Sequence, residues 1–75
     1  MTDQQRYDQL RKQVAERVTA ILVEKGWTLS HFADILGKSK SHVSSILNAK
    51  ANLTLRVIAQ LERALGEQIL KVNLR

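Results

Sequence analysis

The 75-residue chain has no cysteine, no proline and only three glycines. Without cysteine, neither a disulfide nor a thiolate metal site can form, and His31 and His42 are too few and too far apart for a structural zinc site. The sequence shows no paired carboxylates, no nucleophile beside a base and no phosphate-binding loop, and so short a chain leaves little room for a substrate pocket. We therefore expect no enzymatic activity, no small-molecule substrate, no metal and no cofactor.

Long apolar runs are absent as well. No stretch approaches the ~20 apolar residues that a membrane-spanning helix needs. The N-terminal sequence MTDQQRYDQL is polar and partly acidic, unlike a secretory signal peptide. We therefore expect a cytoplasmic protein that makes no membrane contact.

Acidic residues are missing from the middle of the chain. The net charge is +5, from twelve basic and seven acidic residues. The interval between Asp34 and Glu62 contains no acid and four basic residues, which are Lys38, Lys40, Lys50 and Arg56. The rest of the chain is close to neutral, so most of the excess charge lies in this interval. The distribution predicts a polyanionic partner; the alternative is an ordinary solvated surface.

Glycines and hydroxyl residues mark the expected helix ends. Gly26, Gly37 and Gly66 each follow apolar residues at helical spacing, where a glycine can end a helix in the left-handed conformation. Residues 2–5, TDQQ, form a capping-box pattern, and three later hydroxyl residues can cap further helices: Thr28, Ser39 and Thr54. We predict a single domain over residues 1–75, with a first helix at about 3–25, a helix-turn-helix at about 28–48 and a fourth helix at about 54–65.

Apolar residues recur at helical spacing in the first and fourth helices. We expect these to be buried: Leu10, Val14, Val18, Ile21 and Leu22 in the first, and Leu55, Ile58, Leu61 and Leu65 in the fourth. Trp27, between the first two helices, is expected to pack on the core. The first two turns of helix one carry little that could pack, so we expect them to fray or to contact a partner, for example through Tyr7.

The C-terminal residues follow a different period. Leu70, Val72 and Leu74 alternate with polar residues, which predicts a β-strand at about 68–74. A lone strand leaves its backbone groups unpaired, and no second strand is apparent in the chain. We predict that the strand pairs with its own copy across a homodimer axis; a frayed tail is the alternative.

The second and third helices form a helix-turn-helix candidate. Ala33 and Gly37 are four residues apart, Val43 follows six residues later, and Ile46 three after that. A small residue lets the helices cross closely, and glycine supplies the positive φ of the turn. The predicted core of this unit is Phe32, Ala33, Leu36, Gly37, Val43 and Ile46.

The segment GWTLSHFADILGKSKSHVSSILNAKANLTLRVIAQLERALG resembles the Cro/cI-type (XRE) helix-turn-helix domain of phage and bacterial repressors. The resemblance covers about residues 10–66 and implies a compact all-α, lambda-repressor-like domain of four or five helices. More narrowly, KANLTLRVIAQLERALGEQIL resembles HigA-type antitoxins. Two positions depart from the family pattern: Leu29 stands where glutamine commonly braces a phosphate, and Ala49 stands where glycine is usual.

In such a fold the third helix enters the major groove of DNA with its N-terminal residues leading. We expect Lys40, Ser41, Ser44 and Ser45 to read bases. We expect phosphate contacts from Thr28, Ser30, Lys38, Ser39, His42, Asn48 and Lys50. The serines can also be an ordinary solvent-exposed face, and both His31 and Arg56 can be merely solvated.

The resemblance implies a sequence-specific repressor that binds an inverted repeat of double-stranded DNA as a homodimer, with a toxin protein as a further partner if the chain is an antitoxin. The alternatives are a stand-alone phage-type repressor without a toxin, and a protein-interaction adaptor on the same fold. The polar third helix argues against the adaptor, because a protein interface usually exposes aromatic or apolar anchors.

Overall fold

Four α-helices make up the described part of the chain, residues 2–70 of a computed structural model. They are α1 (Asp3–Lys25), α2 (Leu29–Leu36), α3 (Lys40–Leu47) and α4 (Leu55–Leu65). The helix α3 packs against both α1 and α2, and α2 also packs against α4. Within residues 2–70, no helix is long and apolar enough to cross a membrane. The predicted all-α class is confirmed for this part of the chain, with four helices.

Each helix starts at a hydroxyl residue whose side chain accepts a backbone hydrogen bond. In the capping box of α1, the N–H of Gln5 donates to Thr2, and the Gln5 side chain accepts from the Thr2 N–H in return. Thr28, Ser39 and Thr54 make the single-bond version of this cap at α2, α3 and α4. Because these caps satisfy donors that have no partner inside the helix, the sequence placed the starts correctly.

One apolar cluster joins all four helices. Its fully buried members include Val18 and Ile21 from α1, Phe32 from α2, Val43 from α3 and Leu61 from α4. Burying a side chain of this size stabilises the fold by about 1.5–3 kcal/mol. No charged or polar side chain is buried among the described residues. The core is therefore held by packing of aliphatic side chains around a single phenylalanine.

One residue expected in the core lies on the surface. Leu55 was predicted to belong to the buried stripe of α4, but its side chain is 82% exposed. It is the first residue of that helix, directly after the capping residue Thr54. The buried stripe of α4 starts instead at Ile58, one turn later. Periodicity alone could not show that the first turn of α4 extends beyond the core.

The first two turns of α1 do not stand free. Tyr7, Leu10 and Arg11 are half-buried, and the Tyr7 hydroxyl oxygen accepts a hydrogen bond from the N–H of Leu53 at 2.8 Å. The expectation that these turns fray is wrong, because Tyr7 and Arg11 bind the loop between α3 and α4. Contact of these turns with a partner stays a prediction. Leu10 lines an apolar groove beside that loop and does not join the central cluster.

The predicted C-terminal strand is not formed in residues 68–70, and the rest of it, with Val72 and Leu74, lies outside the described residues. The backbone N–H groups of Ile69 and Leu70 donate to the Glu62 carboxylate at 2.8 and 3.4 Å. An ion pair of 3.5 Å between Arg17 and Glu67 adds to this attachment. The amides of Ile69 and Leu70 are thus satisfied inside one copy of the chain, without a partner strand.

All four helices end at a residue in the left-handed conformation, which is a glycine after α1, α2 and α4. Gly26 and Gly37 follow α1 and α2 with φ of 67° and 74°. At the end of α3 the equivalent residue is Ala49, with φ of 58°. The hydrogen bonds match: Lys38 N–H donates to Ala33, and Lys50 N–H donates to the Ser45 carbonyl at 2.9 Å. An L-residue with a Cβ atom is strained in this conformation, so Ala49 destabilises a turn that the rest of the motif requires.

We predict that Ala49→Gly stabilises the domain. Removing the Cβ atom relieves the left-handed strain of about 1–2 kcal/mol, and the extra freedom of glycine in the unfolded chain offsets about 0.4–1 kcal/mol of that gain. The expected net increase in the free energy of unfolding is up to about 1.6 kcal/mol, measured by urea denaturation. The matched control is Gly37→Ala, which should destabilise by a similar amount, because nothing crowds a Cβ atom there. A lower stability for Ala49→Gly would contradict the interpretation.

Candidate nucleic-acid interface

The helix α3 has one buried face and one polar face. Val43 and Ile46 are buried in the core cluster. Four polar residues form a row along the opposite face, because each has another of the four three or four positions away. They are Ser41, Ser44, Ser45 and Asn48. Lys40 is exposed beside this row, at the first position of the helix.

Hydrogen bonds within the row restrict what two of the serines can recognise. The Ser45 hydroxyl donates to the Ser41 carbonyl at 3.1 Å, so in this rotamer its oxygen can only accept from a ligand. The Ser44 hydroxyl oxygen accepts from the Asn48 side-chain amide at 3.3 Å, which leaves its proton free to donate. Ser44 is thus suited to base or phosphate acceptors, and Ser45 to the amino donors of adenine or cytosine.

The N-termini of α2 and α3 are suited to anions. The Thr28 and Ser39 side-chain oxygens accept the backbone N–H groups of His31 and His42, both at 3.1 Å. Each hydroxyl proton therefore remains available to a phosphate oxygen. Neither helix has an acidic residue in its first turn, whereas α1 begins with Asp3. The positive end of each helix dipole is thus not neutralised, which favours a bound phosphate.

The other predicted phosphate-binding residues surround the polar face of α3 along the chain. Lys38 and Lys50 are exposed on either side of the helix, and Asn48 is exposed at its C-terminal end. Ser30 and His42 are half-buried, so their reach toward a ligand is shorter. Lys38, Lys40, His42, Asn48 and Lys50 all lie in the segment 35–61, which contains no acidic residue, whereas Ser30 precedes Asp34.

The predicted helix-turn-helix core holds this surface in place. Phe32, Ala33, Val43 and Ile46 are buried, and Leu36 is half-buried against the same cluster. Trp27 is half-buried against the core as well, as predicted. The rings of Trp27 and His31 are arranged in a T shape with their centroids 5.0 Å apart, and the Lys25 ammonium lies over the Trp27 ring, 5.2 Å from its centroid. The indole therefore contacts other residues of the chain, which favours a packing role for Trp27 over a ligand-binding role.

Sequence reasoning missed the residues that hold the loop after α3. Tyr7 accepts the Leu53 N–H, and the Arg11 guanidinium lies over the Tyr7 ring at 4.9 Å. Arg11 also pairs with Asp8 and donates to the Lys50 carbonyl at 3.5 Å. No local pattern could have revealed these contacts, because the partners are 39 and 46 residues apart in the chain.

Comparison with known protein families matches residues 18–72 to the helix-turn-helix family. The match covers most of the chain, and the chain therefore belongs to the Cro/cI-type (XRE) helix-turn-helix family. This is a family of DNA-binding domains used in the regulation of transcription, and it is not a family of enzymes. No curated protein and no solved structure gives a significant match.

We predict different effects for the two lysines of this surface. Lys40→Ala should weaken binding to the preferred DNA site by about 1–3 kcal/mol and relax the preference at one base pair, because Lys40 is predicted to read a base. Lys50→Ala should weaken binding to all sequences alike. It should also reduce the magnitude of the slope of log affinity against log salt concentration by about one, because one phosphate contact is lost. Titrations by fluorescence anisotropy on specific and scrambled duplexes at several salt concentrations measure both effects. Equal losses on both duplexes for the two variants would remove the distinction.

Proposed function

We propose that the protein is a sequence-specific transcriptional repressor that binds an inverted repeat of double-stranded DNA as a homodimer. The observation that carries the proposal is the polar face of α3, which presents a row of hydrogen-bonding side chains opposite the buried Val43 and Ile46, with Lys40 exposed beside the row. In this family's class of fold, that face enters the major groove. Binding there is expected to occlude a promoter, and a cytoplasmic location follows from such a role.

The side chains of α3 support a shared readout of bases and DNA shape. The row lacks the arginine–guanine and glutamine–adenine pairs that give the strongest direct discrimination. Small serines allow the helix to approach the base edges closely, and Lys40 is the best candidate for the O6 and N7 atoms of guanine. Part of the specificity is therefore assigned to groove width and to the deformability of the site.

The adaptor alternative has less support. A protein-binding surface at α3 would be expected to expose apolar or aromatic anchors. The large apolar side chains exposed in residues 2–70 are Val23, Leu29, Ile35 and Leu55, and none of them belongs to α3. The exposed face of that helix has the composition expected for nucleic acid.

The homodimer is assigned to the C-terminal residues Leu70, Val72 and Leu74. Leu70 lies beside an apolar groove between α1 and the start of α4, and its amide is already bound by Glu62. The proposal therefore depends mainly on Val72 and Leu74, whose alternation with polar residues suits one face of a strand shared between two copies.

A selection from random duplexes, followed by one double substitution, tests the repressor and dimer proposals together. The selected sites should contain two half-sites related by a two-fold axis, about 10–10.5 base pairs apart or a multiple of that distance. Val72→Ser with Leu74→Ser keeps the charges of the tail and should give a monomer in sedimentation. Its affinity for the full site should fall on the order of 100-fold, because the second half-site no longer binds within the same complex.

The control for this experiment is Asn73→Ser, which changes a polar residue of the same segment and should leave the dimer intact. Failure to select any sequence would count against specific DNA binding. A double variant that remains dimeric would place the dimer interface elsewhere while leaving the DNA-binding proposal standing.

The narrower proposal is that the repressor is the antitoxin of a toxin–antitoxin pair. It rests on the resemblance of residues 50–70 to HigA-type antitoxins, which the family match does not resolve. The expected outcome is that the product of an adjacent reading frame arrests growth when expressed alone and that co-expression of this chain restores growth. If neither neighbouring frame encodes such a product, the stand-alone repressor is the better description.

A further inference from the structure

The N-terminal half of α1 holds the loop between α3 and α4 at two points. Tyr7 accepts the N–H of Leu53 at 2.8 Å. Arg11, one turn further along α1, donates to the carbonyl of Lys50 at 3.5 Å. The two side chains also contact each other, since the Arg11 guanidinium lies over the Tyr7 ring. Arg11 is held further by its ion pair with Asp8. We call this pair, Tyr7 and Arg11, the loop clamp.

The loop clamp acts on the backbone of a residue assigned to DNA. The N–H of Lys50 donates to the Ser45 carbonyl at 2.9 Å, in the turn that ends α3. Its carbonyl oxygen accepts from Arg11. Both polar groups of the Lys50 backbone are therefore bound, one by α3 and one by α1, while the side chain is exposed. The Cα atom of Lys50 is therefore fixed in position. This reduces the conformational entropy that is lost when its ammonium group binds a phosphate.

Stability of the core does not account for the loop clamp by itself. Tyr7 and Arg11 are not members of the buried apolar cluster. The Nε atom of Arg11 is buried without a hydrogen-bond partner, which makes its placement costly. Both residues also precede residue 18, where the family match begins.

We infer that Tyr7 and Arg11 are positioning residues for DNA binding, which hold the α3–α4 loop so that Lys50 meets the phosphate backbone beside the groove occupied by α3. The inference rests on the proposed function, because it assumes that Lys50 contacts a phosphate. Neither residue of the clamp touches DNA itself in this arrangement. Their effect on affinity is transmitted through the backbone of residues 50–53.

The test is Tyr7→Phe in the full chain, which removes only the hydroxyl that accepts the Leu53 N–H. Affinity for the selected duplex should fall by about two- to tenfold, and by no more than it does for Lys50→Ala, because the lost hydrogen bond affects DNA only through the position of the loop. The magnitude of the slope of log affinity against log salt concentration should decrease by up to about one, toward the value for Lys50→Ala. A loss of stability alone would not change this slope, provided that binding is measured well below the unfolding temperature.

A double-variant cycle separates the positioning role from a general one. In the Lys50→Ala background, Tyr7→Phe should have little further effect on affinity, because the phosphate contact is already gone. In the Lys40→Ala background, it should retain its full effect. Arg11→Lys, which keeps the charge but not the planar guanidinium, should act in the same direction as Tyr7→Phe. Gln13→Ala, at an exposed position of the same helix, is the matched control and should bind like the wild type.

The outcomes distinguish this inference from the proposed function. If Lys50→Ala lowers the affinity and the salt slope but Tyr7→Phe changes neither, the positioning role is overturned and the DNA-binding proposal stands. If the effects of Tyr7→Phe and Lys50→Ala are additive, the clamp acts elsewhere and the inference is likewise overturned. If the wild-type protein binds no duplex at all, the proposed function fails, and the inference fails with it.

Discussion

The candidate interface depends on the burial of Val43 and Ile46. These two residues attach an otherwise polar helix to the core, in the same cluster as Phe32 of α2 and Val18 of α1. Each contributes on the order of 1.5–3 kcal/mol by leaving water. Because they lie on one face of α3, their burial requires the opposite face to point outward. The orientation of the serine row and of Lys40 is therefore a consequence of core packing.

A second constraint acts at the C-terminal end of α3. The chain must turn sharply after Asn48 to reach α4, and it does so through Ala49 in the left-handed conformation. The same turn is made by glycine after α1 and after α2. The strain at Ala49 is tolerated because the turn is held on both sides: Lys50 and Ala51 donate to Ser45, and the loop beyond is bound by Tyr7 and Arg11. A strained turn and its attachment to α1 thus belong to one structural unit.

Acidic and basic residues are separated on the surface. The start of α1 carries Asp3 and is remote in sequence from the acid-free interval. Two acidic residues bind groups of the chain itself: Asp8 pairs with Arg11, and Glu62 binds the amides that follow α4. The basic residues of the interval, by contrast, are exposed. This separation leaves the face of α3 positive without large net charge elsewhere.

Local chemistry made much of this structure predictable. The starts of the helices could be found from Thr2, Thr28, Ser39 and Thr54, because a cap depends on residues three positions apart. The spacing from Ala33 to Ile46 indicated the helix-turn-helix, because that motif lies within fourteen residues and has a specific steric demand at each position. Leu55 was misplaced because its helix continues beyond the core, and the length of a helix relative to its core is not a local property.

What the sequence determined by itself is therefore the set of helices, the buried face of α3 and the concentration of positive charge around it. Only the tertiary structure decided that Tyr7 and Arg11 bind the loop next to Lys50 and that Glu62 binds Ile69 and Leu70. The physical reason is the same for each of the loop contacts: a hydrogen bond between distant segments depends on how the helices pack, and one tyrosine or one arginine in a sequence gives no sign of the backbone group that it will meet.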